Sequence, residues 1–250
     1  MILFNEIMGL YTLPHILLML IFIGCSILGL VIINKKVNDE KSLTLLLRIL
    51  GIAILLFLIP ARISFVYHNI QEGTVQLFLG EPRKFNWFMV LPNSFCATGA
   101  VVLSIALILG KYKNNVVIDA IFAIVVIGAI TNVFYPEYLA RLPFYHFQTW
   151  ASLVYHVIMG FTAIVLLMKK CYVPELKNWY VPVIGISLIL TYGLFGATVL
   201  KFADSFYIGA PLVAGLEVSY WWGLVLGTLL FDLAIRLTFH FINKNKSISK

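Results

Sequence analysis

Two residues of this 250-residue chain have types suited to covalent chemistry, the thiol of Cys96 and the imidazole of His156. A cysteine becomes an effective nucleophile when a nearby base draws off its proton, and histidine is the usual base. The chain's other cysteines, Cys25 and Cys171, form no CxxC pair with each other or with Cys96. Neither a disulfide framework nor a structural metal site follows from such spacing.

The elements that must position these residues are membrane spans. The chain is 61% hydrophobic and 12% charged, with a mean hydropathy of +0.97, whereas a soluble domain is closer to half apolar and a quarter charged. That composition excludes a soluble enzyme, a nucleic-acid-binding domain and a disordered chain, and makes the bilayer the main solvent. The expected fold is all-α, one integral membrane domain over 1–250 with seven spans near 12–33, 45–67, 85–109, 116–134, 147–168, 179–200 and 220–241. The connections 68–84 and 201–219 are long enough for an interfacial helix or a re-entrant turn. The opening stretch MILFNEIMGLYTLPHILL lacks a basic n-region and a cleavage site, so it reads as a retained first span.

Net charge is +7, and topology accounts for it. The odd-numbered connections and the C-terminal tail carry Lys35, Lys36, Lys41, Lys111, Lys113, Lys169, Lys170, Lys177, Lys244, Lys246 and Lys250. The opposite side has only Arg83, Lys84, Arg141 and Lys201. The positive-inside rule then places the N-terminus outside and the C-terminus in the cytoplasm of a cell membrane. Trp87, Trp150, Trp221 and Trp222 fall at outer span ends and Trp179 at an inner end, as in an aromatic belt.

Ionisable groups inside spans cost roughly 2.5 to 3.5 kcal/mol on insertion scales and call for a partner or a role. Arg62, two residues after Pro60, reads as an interfacial anchor. Asp232 and Arg236 share a helix face four residues apart and form a local ion pair. Asp119 reads as interfacial, and His15, His68 and His240 as ordinary solvated histidines. Cys96 and His156 differ, because both lie roughly 14 to 17 Å below the outer boundary at 1.5 Å per residue. Matched depth is what a Cys/His pair requires. On residue physics alone, a packing cysteine and a histidine that hydrogen-bonds between helices are the favoured reading.

LPNSFC (Leu91 to Cys96) opening a span, then FYHFQTWASLVYH (Phe144 to His156), resembles the bacterial YwaF-like integral membrane proteins, related to the eukaryotic transmembrane protein 164 family. His146 and Phe147 match that family's His-Phe pair, and His156 its second histidine ten residues on. The likeness extends more weakly from span two to span seven. It implies a fold similar to the androgen-induced-gene membrane hydrolases and a cysteine-centred acyl transfer between phospholipids. Cys96 matches the nucleophile, His156 the base, and His146 a supporting histidine. The departures are Ser94, where the family has histidine, Asn93 for an apolar residue, and Arg62 near the family's late acidic residue of span two.

The implied chemistry is attack of Cys96 on a phospholipid ester and transfer of the acyl group to a lysophospholipid. In that scheme Asn93 and Ser94 stabilise the oxyanion and Arg62 holds the phosphate. No metal, soluble cofactor or nucleic acid is called for, and the oligomeric state is not legible. The alternatives are a small transporter or substrate-binding subunit using the same polar midplane residues, and a non-catalytic scaffold. Transport is disfavoured by the lack of an inverted repeat.

Overall fold

The computed structural model describes residues 11–71, 74–75, 83–136, 146–201 and 217–248. Seven helices occupy the described residues: α1 (Leu13–Lys36), α2 (Glu40–Asn69), α3 (Phe95–Ile108), α4 (Val116–Phe134), α5 (Phe147–Met168), α6 (Tyr180–Phe195) and α7 (Glu217–Ile248). Six stretches are long and apolar enough to cross a membrane, which makes this a multi-pass membrane protein. These lie close to six of the expected spans.

The exception is the third. Instead of a helix over 85–109, a 3₁₀ turn (Trp87–Val90) leads through an extended stretch into α3, which has 14 residues. At 1.5 Å per residue α3 is about 21 Å long, short of a hydrocarbon core of about 30 Å. The break has a local cause. Pro92 disfavours a helical Leu91, and Ser94 adopts the extended N-cap conformation, its hydroxyl oxygen accepting the Ala97 N–H at 3.2 Å. Non-helical backbone at membrane depth is tolerated where protein satisfies it. Here Arg62 Nη2 donates to the Met89 carbonyl at 2.8 Å and the Tyr192 hydroxyl to the Pro92 carbonyl at 2.7 Å.

In the segment between α2 and α3, expected to hold an interfacial helix or a re-entrant turn, the described residues include three two-residue strands. Ile70–Gln71 pairs antiparallel with Thr74–Val75, which pairs with Arg83–Lys84. Most of the second long connection lies outside the described residues.

α2 packs on α3 and α5, and α4 on the same two, closing a ring in which α3 and α5 are diagonal; α6 and α7 pack on α4, and α1 on α5. Small residues permit the close approaches. A Cβ at Gly160 of α5 would lie 2.8 Å from the Ala129 Cβ of α4, and Gly185 brings α6 against the Ala120 backbone. Such contacts replace the hydrophobic drive that lipid cannot supply between helices. α1 is the outlier, with most of its side chains exposed.

The odd-numbered connections meet at one end. Lys113 pairs with Glu40 at 2.7 Å, Lys169 Nζ reaches the Asn34 carbonyl, and the Asn114 N–H donates to the Cys171 carbonyl. At this lysine-rich end lies a buried ionic cluster. Arg236 Nε donates to Asp232 at 2.6 Å, the expected pair, but Nη2 also donates to Asp119 at 2.6 Å and Nη1 to the Glu175 carbonyl at 2.7 Å. The Tyr172 hydroxyl donates to the same Asp119 oxygen. Burial first, then the hydrogen bond to Asp119, pushes the Tyr172 phenol well above its usual range, so it remains a donor. Asp119 is therefore buried rather than interfacial, because Arg236 reaches it from α7.

His15 corrects another expectation. It is fully buried, its Nδ1 accepting the Tyr11 N–H at 2.9 Å just ahead of α1. His240 is exposed, and the side chains of His68, Trp221 and Trp222 lie outside the described residues.

Candidate functional site

Cys96 is the second residue of α3, and so stands at a helix N-terminus rather than mid-helix. It precedes the end of α3 at Ile108 by twelve residues, as His156 precedes the end of α5 at Met168. The sulfur is seated against α4, where a Cβ at Gly128 would lie 2.7 Å from Sγ and 3.4 Å from the Met159 Cε of α5. A side chain at 128 would occupy the space the thiol uses.

His156 is 3% exposed and stacks on Tyr155 with ring centroids 4.1 Å apart. Its Nδ1 lies 2.8 Å from the Ser152 carbonyl oxygen one turn back. A carbonyl only accepts, so Nδ1 carries the proton and Nε2 keeps the lone pair, the tautomer a base requires. No hydrogen bond joins His156 to Cys96: the sulfur rests on Gly128, with Met159 beside the same point.

His156 also lines a cavity of about 550 Å³ between α1, α4, α5 and α7. Its wall is made of residues such as Phe22, Val126, Phe161 and Phe231, and His156 is the one ionisable residue on it among those described. The hydroxyls of Ser26 and Thr238 donate back to carbonyls of their own helices, leaving the His156 Nε2 as the uncommitted polar atom. Ala129, next to the glycine that seats the thiol, is on the same wall. The volume falls within the range of small-molecule sites, about 300 to 1,000 Å³, and the lining suits a hydrocarbon chain.

The other expected site residues form the entry to α3 or the start of α5. Asn93 is buried, and Ser94 is the α3 N-cap, its oxygen committed to Ala97 while its proton remains available to donate. Arg62 does not reach out to a phosphate. It is 8% exposed, holds the Met89 carbonyl, and has its guanidinium carbon 5.3 Å from the Phe65 ring centroid. Its bulk is drawn inward because the broken third span needs a donor for its free carbonyl. His146 is the half-buried N-cap residue of α5, and its side chain makes no capping bond. No group of three or more potential metal ligands occurs among the described residues. Residues missed in the sequence are Gly128, Tyr192 and Met159; the LPNS turn signalled the need for backbone partners but not which residues supply them.

Fold and site thus define a polytopic helical membrane protein with an apolar cavity that His156 lines. The model of the TMEM164 family matches residues 10–241, and the chain belongs to that family. No curated protein and no solved structure matches it.

Proposed function

We propose that this protein is a membrane-embedded phospholipid acyltransferase working through Cys96 and His156, a YwaF-like member of its family in a bacterial plasma membrane with the lysine-rich end cytoplasmic. The observation that carries this reading is the apolar cavity whose one ionisable wall residue, His156, has Nδ1 committed and Nε2 left as a base.

An acyl chain in that cavity brings its ester to the region between His156 and the start of α3. Met159, flexible and polarizable, yields from beside Gly128, and the thiol turns toward Nε2; catalytic hydrogen bonds commonly tighten only around substrate. His156 takes the thiol proton, sulfur forms a bond to the ester carbonyl, and the departing glycerol oxygen collects the proton as its bond breaks. The positive end of the α3 dipole favours the oxyanion, with Asn93 and Ser94 flanking it. A lysophospholipid hydroxyl then gives its proton to His156, attacks the thioester and releases the thiolate, which is reprotonated. Arg62 acts as a positioning residue, holding the turn from which Cys96 emerges.

The test is turnover in proteoliposomes, with a labelled phospholipid as donor and a lysophospholipid as acceptor. Labelled diacyl product should form with the native chain and be lost in Cys96→Ala and His156→Gln. Solute flux without lipid turnover would point to a transporter.

A further inference from the structure

On α5 the face leading to His156 from the end where α3 begins is polar and buried. Gln148, Ser152 and His156 are four residues apart in turn and so stack along one helix face. Their exposures are 2%, 2% and 3%. Gln148 Oε1 and Ser152 Oγ have no hydrogen-bond partner among the described residues, although each is shut away from solvent. A buried polar atom without a partner costs about 1 to 3 kcal/mol and calls for an explanation. Packing is a poor one, since leucine and alanine would fill the same positions without that cost. Ser152 also supplies the carbonyl that fixes the His156 tautomer, so its hydroxyl stands one turn from the base.

The ladder and the cavity lie on different sectors of α5. The cavity takes His156 together with Val157, Gly160, Phe161 and Ile164, whereas Gln148 and Ser152 are not on its wall. His156 is the residue common to both, the position a base needs when it serves a chain-bearing carbonyl on one side and a hydroxyl on the other.

We propose that Gln148 and Ser152 form the acceptor subsite, binding the free glycerol hydroxyl of a lysophospholipid and delivering it to His156. This rests on the acyltransferase reading above and adds to it a route for the second substrate. The Gln148 carbonyl accepts a polyol O–H and the Ser152 hydroxyl donates to a polyol oxygen, and the acceptor O–H is handed to Nε2. As the new ester bond forms, the thioester C–S bond breaks, and the proton held by His156 passes to the leaving sulfur.

The experiment follows the two half-reactions of the full-length protein in detergent, using a phospholipid donor alone and then a lysophospholipid acceptor. Native chain, Gln148→Leu and Ser152→Ala are compared for thioester formation by intact mass, for transfer rate, and for thermal stability. The expected result is unchanged thioester formation, transfer reduced about tenfold through acceptor KM, the size of one lost hydrogen bond, and stability unchanged or higher. Ser152→Ala removes only a partnerless hydroxyl, so its folding is not at risk. Transfer within about twofold of native, or transfer and thioester formation falling together, would overturn the subsite and leave the acyltransferase reading standing. Absence of a thioester on the native chain with any donor would overturn both.

Discussion

Gly128 determines where the sulfur of Cys96 sits. A methyl there would lie 2.7 Å from Sγ, so Gly128→Ala must displace the thiol or part α3 from α4. The expected outcome is about 1 to 3 kcal/mol of lost stability in a detergent melt, with slower thiol acylation. At this scale the sequence was partly legible. Cys96 and His156 stand out because so few polar groups occupy the spans, but the helix expected to run through Cys96 from residue 85 begins only at Phe95. The burial of Asp119 was not legible, since it depends on Arg236 reaching over from α7, which leaves no local signature. Arg62 looked like an interfacial anchor for the same reason: the carbonyl it serves belongs to a distant turn.

The elements most tied to function are those that begin at breaks. Hydropathy registers apolar content and is blind to helicity, so the apolar run over 85–109 read as one helix; Pro92 and the Ser94 cap were the available signals of the interruption. Arg62 and Tyr192 hold the Met89 and Pro92 carbonyls that this interruption frees. Tyr192→Phe should cost about 1 kcal/mol and lower kcat with little change in donor KM, measured in the same liposomes. Arg62→Met should do so more severely, because a charged donor is lost from a buried acceptor. At the start of α2, hydrogen bonds to the Asp39 carboxylate from the Ser42 side chain first and then from the Ser42 N–H, at 2.8 Å, hold its pKa below the ordinary 3.8. A depressed carboxylate contributes stability that is fully present above the unfolded pKa and lost as pH falls through the folded one. Melting temperature should therefore fall less steeply below pH 4 or so in Asp39→Asn than in the native chain.

Across the whole molecule, the ring of α2, α3, α4 and α5 carries the site, while the cluster of Arg236, Asp119, Asp232 and Tyr172 ties α7 and the α5–α6 connection to α4 at the lysine-rich end. Removing one partner of a buried ionic network strands the others. Arg236→Met should destabilise the protein by about 3 to 5 kcal/mol in denaturant titration, without altering the order of the chemical steps. Seven apolar segments and their alternation were evident from composition and the basic residues; the cavity was not, because it arises from the joint placement of α1, α4, α5 and α7. Whether Cys96 carries the acyl group is tested by intact-mass measurement of the purified protein after incubation with phospholipid. The expected result is one added acyl mass on the native chain, released by hydroxylamine and absent from Cys96→Ala. An unchanged native mass, or an adduct that persists in Cys96→Ala, would contradict it.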